Sequence, residues 1–154
     1  MSDQHYSNIE EQLRTNGVYV STTVGVSMKP MLRNRRDRIV LVPVGKERLK
    51  KWDLPMYRRA DGKYILHRII NVKADHYVIR GDNTFVKEYV KDEQILGYVS
   101  EFYRGKRHFS TDDKGYRRYA AFWQTIYPLR LPFHWLRRIA SRVKRTLKKL
   151  FGGK

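Results

Sequence analysis

Short runs of alternating apolar and polar residues fill the middle of this chain. Between Val18 and about Arg107, five segments are rich in Val, Ile and Tyr: VYVSTTV, RIVLVPV, KYILHRIINV, HYVIRG and ILGYVSEFYR. Such segments are typical of half-buried strands. The Asp-Gly pair in ADG at 60–62 is a strong hairpin signal, and Gly81-Asp82-Asn83 ends another segment. We therefore expect a small all-β domain over residues 17–110.

The two ends of the chain follow a helical period instead. In residues 3–15, Tyr6, Ile9 and Leu13 share one face, and Gly17 can end the helix. This pattern predicts an N-terminal helix within residues 1–16. From residue 116 onward the pattern is helical again, interrupted at Pro128 and Pro132. Residues 46–54 fit either one helical turn or a surface loop.

The segment FHWLRRIASRVKRTLKKLF at 133–151 has an apolar stripe opposite a row of cations. The stripe consists of Leu136, Ile139, Ala140, Val143, Leu147, Leu150 and Phe151. The cations are Arg137, Arg138, Arg142, Lys144, Arg145, Lys148 and Lys149, and Phe133 and Trp135 suit a lipid headgroup region. A basic amphipathic helix with aromatic residues is typical of segments that lie on an anionic membrane. We therefore interpret residues 116–154 as a membrane-binding tail.

Two other interpretations of this tail remain open. The helix could pack its apolar stripe on the β domain and leave a solvated basic face. It could also bind nucleic acid, although a clean apolar stripe does not suit a surface that contacts only phosphates. We therefore expect an anionic membrane surface as the partner and regard nucleic acid as an unlikely one.

Composition and charge support a domain with a cationic extension. The chain has 154 residues, 41% of them hydrophobic, which is enough for one folded domain with a real core. Residues 104–154 hold 15 Lys/Arg and two acids, whereas residues 1–103 hold 18 Lys/Arg and 13 acids. The chain has no cysteine, which excludes disulfides, thiolate metal sites and a cysteine nucleophile. No metal site or cofactor is predicted.

The hydropathy pattern also bears on location. The first residues, MSDQHYSNIEEQ, do not resemble a signal peptide, and no run approaches the ~18 apolar residues of a spanning helix. The expected location is therefore cytoplasmic and peripheral at the membrane.

Candidate chemistry begins with Ser27 in VGVSMKPML, residues 24–32. A serine hydroxyl is a weak nucleophile and needs a base. His67 lies between Ile65 and Ile69 in a predicted strand, where partial desolvation favours the neutral, proton-accepting imidazole. The alternative is a turn serine and a structural histidine that is hydrogen-bonded to the backbone.

A third element, RGDNTFVKEYV at 80–90, could orient the base. Gly81 permits a positive φ, and Asp82 and Asn83 can hydrogen-bond within their own turn. Either Asp82 or Glu88 could accept the Nδ1 proton of His67 and hold the ring in the useful tautomer. The alternative interpretation of this segment is a turn with no chemical role.

The order of these segments, from Gly25-x-Ser27-Met28-x-Pro30 through LHRII, GDN and ILGYV, resembles the signal peptidase and LexA-type serine peptidase superfamily. The resemblance implies an antiparallel, partly barrel-like β domain with Ser27 as the nucleophile. It places His67 where bacterial leader peptidases carry a lysine, as in signal peptidases of the endoplasmic reticulum and of archaea or sporulation. It also places Glu88 on the acidic residue that follows the GDN turn.

The implied function is a membrane-associated serine endopeptidase that cuts a leader or precursor peptide after small residues. In this interpretation, Gly25 allows close substrate approach, Met28 lines an apolar pocket and Pro30 fixes the chain that leaves the site. The chain departs from the family pattern in several ways. Gly25 stands where some members place a serine that binds the oxyanion, which leaves the backbone N–H of Ser27, and no membrane anchor precedes Ser27.

Two other functions remain open from the sequence. A non-enzymatic module could use the same β fold and the basic tail to hold a membrane or nucleic acid. A self-cleaving LexA-like regulator is less favoured, because the N-terminal segment is too short for a DNA-binding domain and the lysine base is absent.

Overall fold

The protein is mainly β, with an antiparallel half-barrel sheet between a short N-terminal helix and C-terminal helices. The computed structural model describes residues 3–132 and four further positions, 136, 139, 143 and 146. Helix α1 spans Asp3–Asn16 and helix α2 spans Lys114–Thr125. The strands between them are β1 (Tyr19–Thr22), β2 (Arg38–Val42), β3 (Pro55–Arg58), β4 (Tyr64–Leu66), β5 (Arg68–Val72), β6 (Tyr77–Arg80), β7 (Glu88–Val90), β8 (Ile95–Arg104) and β9 (Arg107–Ser110).

The larger sheet has the strand order β1-β2-β8-β3-β4, and β9 pairs with β8 outside this path. All of its pairs are antiparallel. In β2, Ile39 and Leu41 are buried and Arg38 is exposed, as the period of two requires. Within the described residues, β1, β4 and β9 each pair with a single strand and are therefore edge strands of this sheet.

The smaller sheet consists of β5, β6 and β7 in that order, again antiparallel. The segment KYILHRIINV, expected to be one strand, divides between the two sheets. Its first part is β4 in the larger sheet, its second part is β5 in the smaller one, and His67 lies at the break.

Two apolar clusters fill the interior. In the first, Ile9 and Leu13 of α1 pack with Leu41, Val99 and Phe102 of the larger sheet. This contact confirms the predicted N-terminal helix and the burial of Ile9 and Leu13, whereas the side chain of Tyr6 lies outside the described part of the structure. The second cluster lies at the smaller sheet and contains Leu49, Tyr57, Ile69, Tyr77, Ile79 and Val90.

The first part of helix α2, up to residue 121, belongs to the folded β domain. Tyr116 lies in the first apolar cluster, and Ala120 is fully buried. Residues up to 121 accordingly form one compact unit, and a second unit begins at residue 122. The domain boundary therefore lies after the predicted end at 110, because the first turns of α2 fill the core.

The second unit is helical where the structure describes it. The helix is interrupted at residue 126, just before Pro128, and resumes over 127–132. Leu136, Ile139 and Val143 of the predicted stripe are helical and exposed. The other predicted membrane-binding residues lie outside the described residues: Trp135, Arg137, Arg138, Arg142, Arg145 and Leu147.

None of the helices in the described part of the chain combines the length and the apolar content needed to cross a bilayer.

Candidate active site

Ser27 lies in the connection between β1 and β2. Hydrogen bonds between residues of this connection hold its shape. Gly25 has a φ of +104°, which favours glycine, and its N–H donates to Asn34 Oδ1 at 2.8 Å. The buried Asp37 carboxylate accepts from the Arg33 backbone N–H at 2.7 Å and from the Arg33 guanidinium. Burial opposes ionisation of Asp37, but the hydrogen bonds from Arg33 outweigh it and lower the pKa of this carboxyl.

The Gly81-Asp82-Asn83 turn attaches directly to the backbone around Ser27. The Asn83 N–H donates to the Ser27 carbonyl at 2.7 Å. The Asn83 side chain donates to the Val26 carbonyl at 3.2 Å. Within the turn, the Gly81 N–H donates to Thr84 Oγ1 at 3.1 Å. The turn thus fixes the position of the candidate nucleophile from a distant part of the sequence.

Gly81 brings Ser27 and His67 together because it lacks a side chain. A Cβ at Gly81 would lie 2.8 Å from the Ser27 carbonyl oxygen and 2.9 Å from His67 Nε2. The Ser27 carbonyl oxygen and His67 Nε2 therefore cannot lie further apart than these two distances added together. The sequence suggested that a positive φ explains this glycine, but among the described residues the positive φ values belong to four other glycines and to Arg35 and Trp52. Close approach of two neighbours is the physical reason.

The His67 ring is buried and held by polar groups at Nδ1. Its side chain is 5% exposed. Nδ1 lies 3.1 Å from Glu88 Oε1 and 3.4 Å from the Tyr57 hydroxyl. Because a carboxylate can only accept, the Nδ1 contact implies a proton on Nδ1 and a lone pair on Nε2. That lone pair lies at the edge of the ring that borders Gly81.

Glu88 is itself held by Arg59. Arg59 Nε and Nη2 donate to the two Glu88 oxygens at 2.5 and 2.6 Å. Burial opposes ionisation of Glu88, but the Arg59 hydrogen bonds outweigh it and lower the pKa of the carboxyl. A bidentate pair of this kind fixes the orientation as well as the charge of the carboxylate.

Burial is the largest influence on the His67 pKa and lowers it below 6.5. Glu88 acts in the opposite direction, and Arg59 adds to the lowering. Burial and the Glu88 charge also raise the pKa of the Tyr57 hydroxyl. The site therefore contains a neutral imidazole between a carboxylate and the candidate nucleophile's loop.

Asp82, the other candidate acid, faces Arg68. Arg68 Nε and Nη2 donate to the two Asp82 oxygens at 2.8 and 2.7 Å, and both side chains are fully buried. Arg68 also donates to the Tyr116 hydroxyl on α2 at 2.6 Å. Sequence reasoning did not single out Arg68, although it follows His67 directly. Asp82 thus anchors the turn, whereas Glu88 makes the contact with His67 Nδ1.

A cleft of about 480 Å³ lies beside these groups. Gly25, Ser27, Met28 and His67 line it, together with residues of the edge strands β1 and β4. Pro30 instead lines a separate cavity of about 380 Å³, together with Met31 and Phe102. Of the three predicted substrate-binding residues, Gly25 and Met28 therefore border the Ser27 cleft and Pro30 borders another.

Ser27 presents two groups with no partner in the described part of the chain. Neither its Oγ nor its backbone N–H takes part in a hydrogen bond there. A hydroxyl without a competing bond can donate to a base, and an unpaired N–H can bind a developing oxyanion. The arrangement offers a nucleophile, a neutral base with an orienting carboxylate, and an oxyanion donor at one cleft.

No protein-family model matches the sequence, and no curated protein matches it either.

Proposed function

We propose that this protein is a serine endopeptidase of the signal-peptidase-like type, using Ser27, His67 and Glu88. One observation carries the proposal: Ser27 and the buried His67 line the same cleft, and Glu88 is hydrogen-bonded to Nδ1 of His67. A hydroxyl, a neutral imidazole and a carboxylate that orients the imidazole are the groups that nucleophilic catalysis by a serine uses. The resemblance of the segment order to the signal peptidase superfamily supports the same reaction.

In the proposed reaction, His67 Nε2 takes the proton of Ser27 Oγ as the oxygen attacks the peptide carbonyl. The tetrahedral oxyanion accepts a hydrogen bond from the Ser27 N–H. The imidazolium then gives its proton to the leaving amine as the C–N bond breaks, which leaves an acyl-enzyme. Water, deprotonated by His67, attacks the ester, and the imidazolium returns this proton to Ser27 Oγ as the acid is released. Glu88 keeps Nδ1 protonated and stabilises the imidazolium throughout.

The proposed substrate is an extended segment of a leader or precursor peptide. The cleft is lined by residues of β1 and β4, two edge strands of the larger sheet, and the free side of an edge strand can pair with an extended chain. The family resemblance adds a preference for small residues before the scissile bond.

Association with a membrane surface forms part of the proposal. The sequence places a row of cations opposite the apolar stripe of the tail, and Leu136, Ile139 and Val143 of that stripe are exposed. Helices with this pattern insert the apolar side between lipid headgroups. Such a location would favour substrates that are themselves bound to the membrane.

A binding module without catalysis is the second candidate. The observation in its favour is that Ser27 Oγ makes no hydrogen bond to His67 among the described residues. In this function the cleft lined by β1 and β4 would hold a peptide and leave it intact. Peptide binding without cleavage distinguishes it from the enzyme.

The test is cleavage of a pool of synthetic peptides with alanine-rich cleavage segments, followed by mass spectrometry. Ser27→Ala should abolish cleavage and keep the fold, because it removes only a hydroxyl that makes no bond in the structure. The matched control is Ser100→Ala on β8, outside the cleft, which should keep cleavage. Cleavage by Ser27→Ala at the wild-type rate would refute the proposal, and peptide binding with no cleavage by the wild type would favour the second candidate.

A further inference from the structure

Cations are concentrated in two short segments of the folded unit. Residues 33–38 and 104–107, RNRRDR and RGKR, contain seven Lys/Arg among ten residues and a single acid, Asp37. Neither segment belongs to the C-terminal tail. Both lie at one end of the larger sheet, where β2 begins and the β8–β9 hairpin turns.

Contacts show that the two segments form one surface. Arg33 and Arg104 both reach the buried Asp37, with N–O distances of 2.7 and 3.7 Å. Arg38 pairs with Tyr103 across the strands, and its guanidinium lies 5.8 Å from the centre of that ring. Two arginines therefore neutralise the only acid in these segments, and a neighbouring carboxylate, Glu101, contacts His108 and the Tyr103 hydroxyl.

The remaining cations are exposed to solvent. They are Arg35, Arg36, Arg38, Lys106 and Arg107, and none forms an ion pair within the described residues. We call these five residues the arginine surface. Four of the five are arginines, whose planar guanidinium binds a phosphate group in a bidentate manner.

An exposed apolar side chain borders the arginine surface. The Arg35 N–H donates to the Thr23 carbonyl at 2.7 Å, and the Gly25 N–H donates to the Asn34 side chain. Val24 lies between these two attachments and is 81% exposed. Val24 also lines the Ser27 cleft, so a valine this exposed beside a row of arginines would enter the headgroup region at the rim of that cleft.

We propose that the arginine surface binds the phosphate headgroups of an anionic membrane, with Val24 entering the interface. It would be a second membrane contact, carried by the folded unit itself and separate from the tail. The proposal does not depend on the peptidase reaction, because binding can be measured without any substrate.

Nucleic acid is the other phosphate-bearing partner. Val24 argues against it, because an exposed valine has neither an aromatic ring nor a hydrogen-bonding group to offer a base or a phosphate. Binding to single strands relies on exposed aromatic side chains that stack on bases. The aromatic ring at this surface, Tyr103, lies under Arg38 and is half-buried. A membrane interface accounts for both the arginines and the exposed valine.

The first experiment reads the contact at Val24 itself in the full chain. The protein has no cysteine, so Val24→Cys can carry a single environment-sensitive fluorophore. Vesicles of phosphatidylcholine with phosphatidylserine should shift its emission to the blue, whereas pure phosphatidylcholine should not. Lys73→Cys, in the turn between β5 and β6, is the control and should show no shift. Sedimentation of the labelled protein with anionic vesicles, with no shift at Val24, would overturn the proposal.

The second experiment removes charge at the arginine surface. Arg35→Gln, Arg36→Gln and Arg38→Gln together should weaken the vesicle contact measured at the Val24 label by roughly fivefold per arginine, about 100-fold in all. Lys46→Gln, Lys73→Gln and Lys87→Gln lower the net charge equally elsewhere and should have a much smaller effect. If the arginine variant unfolds, Lys106→Gln with Arg107→Gln in the hairpin turn tests the same surface. Equal losses in the two triple variants, or tighter binding to a nucleic acid duplex than to the vesicles, would reject the proposal.

Discussion

Gly81 lies against both the backbone of Ser27 and the ring of His67, with no room for a side chain. An alanine there would place a methyl group 2.8 Å from the Ser27 carbonyl and 2.9 Å from the imidazole. Both distances are shorter than any normal contact with a Cβ, and both neighbours are held by hydrogen bonds. The substitution must therefore push the candidate nucleophile and base apart.

We expect Gly81→Ala to cost about 1–3 kcal/mol of unfolding free energy, as overpacking does, and to reduce peptide cleavage strongly. Gly115→Ala in α2 is the control, because a Cβ there meets no atom within 4 Å. It should not destabilise the protein. Denaturant unfolding and cleavage rates measure both variants. Unchanged stability and unchanged cleavage in Gly81→Ala would contradict the close contact.

The pH dependence of cleavage follows from the lowered pKa of His67. The imidazole must be neutral to act as a base. Burial lowers its pKa, so it stays neutral at pH values somewhat below 6.5. Cleavage should therefore rise with pH through an apparent pKa below 6.5 and be level above it. Arg59→Gln removes a cation that lowers the pKa of His67, so it should shift this rise to higher pH. A rate that titrates only near pH 9 would instead indicate a lysine base.

Stability should depend on pH in the same region, with a fixed sign. The unfolded chain takes up a proton at His67 near pH 6.5, whereas the folded chain does so only at lower pH. Protonation therefore favours unfolding as the pH falls below 6.5. The pKa of Glu88 is lowered in the folded protein, so its ionised carboxylate stabilises the fold above pH 4.5. This contribution is lost as the pH falls through the pKa that Glu88 has in the folded state.

The candidate site was partly predictable at the level of single residues. Ser27, His67 and Glu88 stand out by residue type and order, and the structure places Ser27 and His67 at one cleft with Glu88 on the histidine. Which of Glu88 and Asp82 contacts His67 depends on the cation that each carboxylate binds. Arg59 and Arg68 decide it, and neither partnership leaves a local pattern in the sequence.

Among the secondary-structure elements, those inside the five apolar segments were predicted, whereas β3, β7 and β9 were not. Helix α1 and the longer β2 and β8 follow from their apolar spacing. Strand β3 begins with a proline, and β7 has three residues, too few to show alternation. The break at His67 was also missed, because β4 and β5 share one apolar run although they belong to different sheets.

Helix α2 gives a prediction about where the chain can be cut. A chain that ends at residue 110 loses Tyr116, and removal of a large buried aromatic side chain costs about 3–5 kcal/mol. It also removes the hydroxyl that accepts from the buried Arg68. This loss is a large share of a typical folding stability, so the shorter chain should unfold at a much lower temperature.

A chain that ends at residue 126 is the matched control, because it keeps the whole of α2. It should unfold close to the temperature of the full protein. Equal thermal stability of the two truncated chains, measured by circular dichroism, would show that α2 is not part of the folded unit.

At the scale of the whole molecule, the positive charge is divided between the two units. Residues 122–154 contain nine Lys/Arg and no acid, so they carry half of the net charge of +18. The rest belongs to the folded unit, which includes the arginine surface. The longer truncated chain therefore separates the two proposed membrane contacts, because it keeps the arginine surface and lacks the apolar stripe of the tail and the cations opposite it. Added salt should weaken the vesicle binding of this chain through screening.

The hydrogen bond from the Asn83 side chain to the Val26 carbonyl joins residues 57 positions apart. The bond from the Tyr116 hydroxyl to the Trp52 carbonyl joins residues 64 positions apart. Pairings of such long range form only after much of the chain is present and its loops have closed. During synthesis, Ser27 therefore leaves the ribosome long before His67, Gly81 and Tyr116 do. The growing polypeptide carries an inert serine until α2 emerges, so any activity would begin only when the folded unit is almost complete.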